Sequence, residues 1–287
     1  GLRVRAFNCQ CGNPIFFRNS VCLACSTALG YVPTLSRVVP LASTDQPDVW
    51  VEWDTQGPLY RRCANVDTPA ACNWLVEVDE AGQHKGMCRA CRLNRTIPNL
   101  NDPSQPDNGA LWGRVELAKR RLVSALLVMG LPVASRETED TERGLMFDFL
   151  RAPSGAPPVM TGHDDGLITI NIIEADDVQR ERARTNMNEP YRTLLGHLRH
   201  EVGHYYWNRL IADSHWLEPF RALFGDESQD YEDSLKRYYA EGAPADWQVG
   251  YVSAYATSHP WEDWAECWAH YMHMSDMMDT ASSFGLS

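Results

Sequence analysis

The sequence predicts an α+β fold, in which a mainly helical domain with a small sheet follows a small cysteine-rich module. Three observations support this prediction. Eight of the nine cysteines lie within residues 1–91. In long segments of the second half, apolar residues recur every three or four positions, which is typical of helices with one buried side. Short apolar runs at 145–150 and 167–172 have the length of strands.

The cysteines of the first module fall into two sets of four. The first set is Cys9, Cys11, Cys22 and Cys25, and the second is Cys63, Cys72, Cys88 and Cys91. Cysteines paired closely in sequence form tight turns whose sulfurs can converge on one tetrahedral zinc ion. Two four-thiolate structural zinc sites are the simplest arrangement, and cross-braced pairing between the sets stays open. A disulfide framework is the rival interpretation, but the spacing and the neighbouring glycine and arginines favour zinc.

The segment His200-Glu201-Val202-Gly203-His204 has the pattern His-Glu-x-x-His. Four residues advance an α-helix by slightly more than one turn, so both imidazoles emerge on one face. Asn188-Glu189-Pro190 offers a cap with proline at an early helical position, and apolar residues follow at helical spacing. Glu201 lies on the flank of the same cavity, where a carboxylate can act as the base of a zinc hydrolase. Gly203 lowers helix propensity, so we expect it to serve close packing.

Catalytic zinc sites usually have three protein ligands and one open position for water. A third ligand six residues after the second histidine is excluded, because that position is Leu210. A later segment supplies a carboxylate instead, since Pro260 suits a helix start and acidic residues follow it. We assign Glu262 to the metal, and Glu266 to a hydrogen bond that orients a ligating imidazole.

Other ligands stay open at this point. Glu266 and Glu262 could exchange roles, because both lie on one face of the predicted helix, and Asp263 is close to that face. Asp213, nine residues after His204, is the ligand that an aspartate-type site would use. Cys267 lies among tryptophans on the same predicted helix, and we interpret it as a buried core thiol rather than a ligand.

The pattern His-Glu-x-x-His, followed at 262–266 by Glu-x-x-Ala-Glu, resembles the gluzincin metallopeptidases, in particular their lethal-factor-like branch. That branch carries a tyrosine seven residues before the glutamate ligand, and this position is Tyr255 here. The resemblance implies that Tyr255 donates a hydrogen bond to the oxyanion of the tetrahedral intermediate. It covers the two helices and the turn before the second.

The order of the cysteine module and the His-Glu-x-x-His domain along the chain resembles a second group of proteins. A cysteine module followed by a His-Glu-x-x-His domain is similar to bacterial zinc-binding metallopeptidases that have an N-terminal zinc-ribbon domain. The similarity extends over the whole chain. It implies a mainly helical, zincin-type metallopeptidase domain with a small edge sheet, preceded by a zinc-ribbon module.

Composition places the boundary between the two domains. Residues 1–100 contain both cysteine sets and are expected to form the zinc-ribbon domain. The polar stretch 101–109 is rich in turn-forming residues, which is typical of a linker. Residues 110–287 are long enough for one domain of ordinary size and are expected to form the gluzincin-like domain.

Within the larger domain, one long helix and two strands are predicted before the His-Glu-x-x-His helix. The helix runs to about Gly130, with the basic run 119–121 on its exposed side. The strands span 145–150 and 167–172, and a turn at 161–166 precedes the second. In gluzincins the strand before the zinc helix commonly forms an edge of the cleft, where an extended peptide can be added as another strand. An interior strand with no substrate role is the alternative.

Charge and hydropathy limit the possible partners. The formal net charge is -12, and residues 1–100 carry 10 basic and 8 acidic side chains whereas residues 101–287 carry 16 and 30. Phosphate binding needs a basic surface, which argues against nucleic acid as a partner. We expect a protein or peptide substrate, and a protein partner for the zinc ribbon. The longest apolar run, 122–134, is too short for a bilayer span and no signal-peptide pattern is present, so a cytoplasmic location without membrane contact is expected.

A zinc metallopeptidase is the function that these residues favour. Zinc lowers the pKa of a bound water to about 7, and Glu201 accepts its proton as the water attacks a carbonyl. A zinc hydrolase of non-peptide amides or esters would use the same residues. A zinc-stabilised protein-binding adaptor with a non-catalytic second domain is the other alternative, but a site that only binds metal has no use for a base such as Glu201.

The metal content tests these assignments. We expect three zinc ions per chain, one catalytic and two structural, because the ligands form three separate sets. His200→Ala should lower the content by one, since it removes a ligand from one set only. Elemental analysis of the purified protein measures this. An unchanged zinc content in His200→Ala would contradict the assignment.

Overall fold

The computed structural model describes residues 6–187 and 193–283 and shows an α+β chain with a cysteine-rich N-terminal part. The first cysteine set surrounds a two-stranded antiparallel hairpin, β1 (Phe7–Asn8) and β2 (Pro14–Ile15). A five-stranded antiparallel sheet follows in sequence order, with β3 (Leu29–Val32), β4 (Arg37–Ser43), β5 (Trp50–Glu52), β6 (Tyr60–Arg62) and β7 (Leu75–Glu77). A short helix, α1 (Val78–Ala81), leads from this sheet to the last cysteine pair.

The helical part contains a four-stranded sheet. Its strand order is β10-β11-β9-β8, formed by β8 (Asn94–Thr96), β9 (Met146–Leu150), β10 (Gly162–Asp164) and β11 (Leu167–Asn171). β11 pairs with β9 in parallel and with β10 in an antiparallel hairpin, so it is an interior strand. β10 and β8 are the edge strands of this sheet. β10 lies inside the segment that we predicted as a turn, because that segment folds back on β11 before the tight turn at Asp165-Gly166.

The helical part also contains six α-helices among the described residues. In chain order they are α2 (Asn108–Val128), α3 (Asp177–Met187), α4 (Leu194–Leu210), α5 (Leu217–Phe224), α6 (Tyr231–Glu241) and α7 (Pro260–Ser283). The cap predicted at 188–190 lies outside the described residues. α4 begins at Leu194, where the Thr193 hydroxyl accepts a hydrogen bond from the amide of Gly196 at 3.0 Å. None of the described helices has the length and apolarity of a membrane span.

Helix α2 joins the two parts of the chain through a continuous core. Its apolar face packs with Phe147 and Phe149 of β9, and the second cysteine set belongs to the same cluster of buried residues. The prediction that 119–121 lies on the exposed side of α2 is wrong, because Lys119 and Arg120 are buried and Arg121 is half-buried. Lys119 is 0 % and Arg120 is 2 % exposed, and both donate hydrogen bonds to residues that precede α2, Lys119 to the Asn94 side chain and Arg120 to a backbone carbonyl. The Arg120 guanidinium donates to the carbonyl of Ala70 at 3.1 Å.

Helices α4 and α7 pack closely, and Gly203 is at the point of contact. A Cβ atom at Gly203 would lie 3.2 Å from Cα of Ala265 and 3.1 Å from Trp268. The indole of Trp264 donates to the Gly203 carbonyl at 2.9 Å, and the Trp268 ring stacks on Tyr206 with centroids 5.0 Å apart. Glycine therefore lets α7 approach the helix that carries His-Glu-x-x-His.

Gly203→Ala should destabilise the protein, although alanine is the better helix former. Overpacking costs about 1–3 kcal/mol, against a gain of about 1 kcal/mol in helix propensity. We expect a net loss of about 1 kcal/mol in the free energy of unfolding, measured by urea titration. Gly82→Ala is the control, because its Cβ would meet no atom within 4 Å and its φ is -67°. Equal stability of the two variants would contradict this packing argument.

Candidate metal centre

Three side chains from two helices converge on one point. α4 presents His200 and His204, whose ring centroids lie 5.0 Å apart at an interplanar angle of 82°. α7 presents Glu262, and its Oε2 lies 2.9 Å from Nε2 of His200 and 3.3 Å from Nε2 of His204. His200 is 3 % and Glu262 is 2 % exposed. One ligand atom from each of the three residues lies within 4.8 Å of the others.

The Glu262 carboxylate shows that these donors suit a cation. Its Oε2 is buried, and no described residue donates to it a hydrogen bond of ordinary geometry. Burial favours the neutral acid, but the two imidazoles outweigh burial and hold the pKa of Glu262 well below its ordinary value. A buried carboxylate oxygen facing two imidazole nitrogens is the donor set that zinc prefers. The site therefore fits the metal.

The orientation of His200 is set by an outer hydrogen bond. Its Nδ1 lies 2.9 Å from Oε2 of Glu266, and the hydroxyl of Ser253 donates to Oε1 of the same carboxylate at 2.9 Å. With the proton of His200 on Nδ1, the lone pair of Nε2 faces Glu262 and His204. Glu266 thus lies on the far side of the imidazole from the convergence point.

The other candidate ligands lie elsewhere. Asp213 and Asp263 are not in the described cluster of His200, His204 and Glu262. Asp263 contacts the thiol of Cys267 at 3.5 Å, and burial raises the pKa of Asp263 to about 6. Burial, with the charge of Asp263, also raises the pKa of Cys267 to about 12, so this thiol is protonated at neutral pH. Cys267 is half-buried and outside the metal cluster.

Glu201 follows His200 on α4, and the Tyr255 ring lies close to that of His200. Glu201 is half-buried on α4, and within residues 6–187 and 193–283 it has no hydrogen-bond or ion-pair partner. Tyr255 begins a 3₁₀ turn, Tyr255–Ser258, immediately before α7, and its ring centroid lies 6.0 Å from that of His200. The site thus has a carboxylate next to His200 along α4 and a phenol close to the His200 ring.

Two further residues contact this centre that the sequence patterns do not single out. The hydroxyl of Tyr231, at the start of α6, donates to Oε1 of Glu262 at 2.6 Å. His163, on edge strand β10, lies parallel to His204 with ring centroids 6.1 Å apart. Its Nε2 accepts a hydrogen bond from the amide of Gly166 at 2.9 Å. These contacts join segments 31 and 41 residues apart, and no spacing rule within one helix can reveal them.

The eight cysteines of the N-terminal part assemble into the two sequential sets. Sulfur atoms lie 3.7 Å apart for Cys9 and Cys25, and 3.8 Å apart for Cys11 and Cys22. In the second set, Cys72 and Cys88 have sulfurs 3.7 Å apart. A tetrahedron with zinc–sulfur bonds of about 2.3 Å has edges of about 3.8 Å, whereas a disulfide bond is about 2.05 Å long. The distances fit four-thiolate zinc sites, without cross-bracing between the sets.

The two cysteine sites differ in their surroundings. Cys11 and Cys25 of the first site are exposed, whereas all four cysteines of the second are buried. Backbone amides of Asn65 and Cys88 both point at the sulfur of Cys63 at 3.5 Å. Burial lowers the pKa of Arg120 on α2, but the charges of the neighbouring cysteine sulfurs and of Glu116 outweigh burial and raise this pKa. The second site is therefore buried, and the positive charge of Arg120 lies near its sulfurs.

Comparison with known proteins agrees with this geometry. A family model described as "Putative zinc-binding metallo-peptidase" matches residues 108–287, and a zinc-ribbon domain model matches residues 6–102. The chain belongs to this family of zinc-binding metallopeptidases and carries an N-terminal zinc ribbon. The α+β fold and the resemblance to this family are thereby confirmed.

The relatives give no further functional detail. Uncharacterized proteins of Mycobacterium bovis and of two Mycobacterium tuberculosis strains are each 44% identical to the chain over 288 residues. The alignment covers 99% of this chain and 77% of each relative. No solved structure matches the chain.

The two cysteine sites should release zinc at different rates. A chelator should remove zinc from the first site faster, because Cys11 and Cys25 are exposed whereas all four cysteines of the second site are buried. Zinc released into excess chelator, followed with a colorimetric indicator, should show a fast and a slow structural phase. Cys25→Ser should remove the fast phase alone. A single common rate would contradict the difference in burial.

Proposed function

We propose that the chain is a gluzincin-type zinc peptidase, in which His200, His204 and Glu262 hold the catalytic zinc and Glu201 is the general base. The observation that carries this proposal is the convergence of two imidazole nitrogens and a buried carboxylate oxygen. Glu201 follows His200 on α4 and has no hydrogen-bond or ion-pair partner among the described residues. The cysteine sets would hold two further, structural zinc ions. Thiol-rich zinc sites are typical of reducing compartments, which supports a cytoplasmic location.

Glu201 would move the proton of the reaction. When bound, zinc supplies a Lewis acid that polarises the scissile carbonyl and lowers the pKa of a water to about 7. The Glu201 carboxylate accepts a proton from the attacking water and then delivers it to the nitrogen of the leaving amine. Among the described residues, none forms a hydrogen bond or an ion pair with the Glu201 carboxylate. This carboxylate is therefore available to accept the proton and to deliver it.

Tyr255 would stabilise the charge that develops on the carbonyl oxygen. Its phenol donates a hydrogen bond, and the contribution grows as the oxygen becomes negative. The ring packs against His200 and against Tyr238 of α6, with centroids 6.0 and 5.7 Å away. These two ring contacts limit the positions of the hydroxyl, which is the preorganisation that this role requires.

The edge strand β10 supports a peptide rather than a small amide or ester as the substrate. β10 pairs with β11 on one side only, so its other side offers backbone donors and acceptors. An extended peptide can be added to such an edge as a further strand. His163 on β10 lies parallel to His204, which places the edge next to the metal centre. A peptide bound to β10 would therefore pass the site of hydrolysis.

Replacing Glu201 separates the peptidase from a binding-only adaptor. Glu201→Gln should keep all three zinc ions, because it removes no ligand, and should lose turnover by at least about 100-fold, because general base catalysis contributes at least that much. Cleavage of proteome-derived peptides by the wild type and by Glu201→Gln, analysed by mass spectrometry, measures this loss and reports cleavage-site preference. Asn208→Asp is a charge-altering control one helical turn beyond His204.

The outcomes separate the candidate functions. Turnover of Glu201→Gln at the wild-type rate would show that the mechanism is wrong. Absence of peptide cleavage by a fully zinc-loaded wild type would favour the adaptor, or a hydrolase of non-peptide substrates. Assays with simple esters and amides would then distinguish these two.

A further inference from the structure

Helix α6 lies in the connection between the two helices that form the metal centre, and its first residue reaches that centre. Asp230 caps α6 by accepting a hydrogen bond from the amide of Asp233 at 2.8 Å. Among the described residues of α6, Ser234 alone is buried. The hydroxyl of Tyr231 donates to Oε1 of Glu262 at 2.6 Å. A largely exposed helix thus makes a specific contact with a buried carboxylate.

This hydrogen bond distinguishes the two oxygens of Glu262. Oε1 accepts from Tyr231, whereas Oε2 faces the Nε2 atoms of His200 and His204. Rotation about the last torsion of a glutamate side chain is soft and roughly two-fold, so packing alone leaves the carboxylate plane poorly fixed. A donor on one oxygen fixes that plane and directs the other oxygen at the histidines.

We infer that Tyr231 is a positioning residue, which holds the Glu262 carboxylate in the orientation that binds the catalytic zinc. The inference rests on the proposed function, because it takes Glu262 as a zinc ligand. Tyr231 acts through Glu262. Hydrogen bonds from outside a metal site to its ligands typically contribute a factor of about 10–100 in metal affinity or activity.

The position of the Tyr231 hydroxyl is itself determined by packing. The ring lies edge-on to His259 with centroids 5.1 Å apart and contacts Trp261 at 5.6 Å. His259 is fixed at both nitrogens, since Nε2 donates to the Gln229 carbonyl at 3.0 Å and Nδ1 accepts from the amide of Trp261 at 3.1 Å. Phenylalanine at 231 would keep these ring contacts and remove the hydroxyl alone.

Zinc affinity of Tyr231→Phe tests the inference. Competition with a chelator of known affinity should show about 10- to 100-fold weaker binding of the zinc ion that His200→Ala loses. Peptidase activity of the variant should rise again as free zinc is increased, because the hydroxyl serves the ligand and not the reaction itself. Tyr239→Phe is the matched control, because it removes a hydroxyl from a residue of the same helix that is 58% exposed. Its zinc affinity should equal that of the wild type.

A double variant separates positioning from a general role in stability. In a Glu262→Ala background, Tyr231→Phe should change zinc affinity less than about two-fold, because residues that act as one unit are not additive. A full effect in that background, or an unchanged zinc affinity of Tyr231→Phe alone, would overturn the inference. So would a Tyr231→Phe protein that loses the zinc of the cysteine sites while Glu262→Ala retains it, because the hydroxyl would then serve the fold.

Failure of the proposed function would look different. A wild-type protein without zinc at the histidine site would remove the basis of both proposals. A wild type that holds this zinc, together with a Tyr231→Phe variant of equal affinity, would contradict the role of Tyr231 alone.

Discussion

The close approach of α4 and α7 is the constraint on which the candidate site depends. Two histidines one helical turn apart supply only part of a zinc site, and the missing carboxylate must come from another element. Gly203 lets α7 lie against α4. The indole of Trp264 on α7 donates a hydrogen bond to the Gly203 carbonyl on α4. This contact brings the Glu262 carboxylate to the Nε2 atoms of His200 and His204. It also brings the Glu266 carboxylate to Nδ1 of His200. The packing of α4 against α7 therefore positions both the candidate ligand Glu262 and the carboxylate that orients His200.

The cysteine-rich part contributes to the same core. Strand β8 precedes the predicted linker, yet it pairs with β9 in the sheet of the helical part. Buried charges join the two parts, because Lys119 lies 2.8 Å from Glu116 and 2.6 Å from the Asn94 amide oxygen. A buried charge without such partners is costly. The second cysteine site and α2 thus share one continuous core, and β8 joins the sheet of the helical part.

Local patterns in the sequence predict the secondary-structure elements and the candidate ligands that lie close together in the sequence. Helical periodicity predicts α2, α4 and the start of α7, and cysteine spacing predicts the two sets that the structure brings together. The pairing of distant segments is not encoded in such patterns. Nothing in the local sequence shows that β11 is interior, that Lys119 is buried or that Tyr231 reaches Glu262. These features depend on tertiary contacts between segments far apart in the chain, and no spacing pattern in the sequence predicts which segments meet.

The location of zinc in a crystal of the protein tests the central claim most directly. Diffraction data collected on both sides of the zinc absorption edge identify the metal by its anomalous signal. The account predicts a peak about 2.0–2.2 Å from Nε2 of His200, Nε2 of His204 and Oε2 of Glu262, with Glu266 on the opposite side of the His200 ring. A crystal with zinc in both cysteine sites but no peak at the histidines, or with Glu262 turned away from the metal, would contradict it.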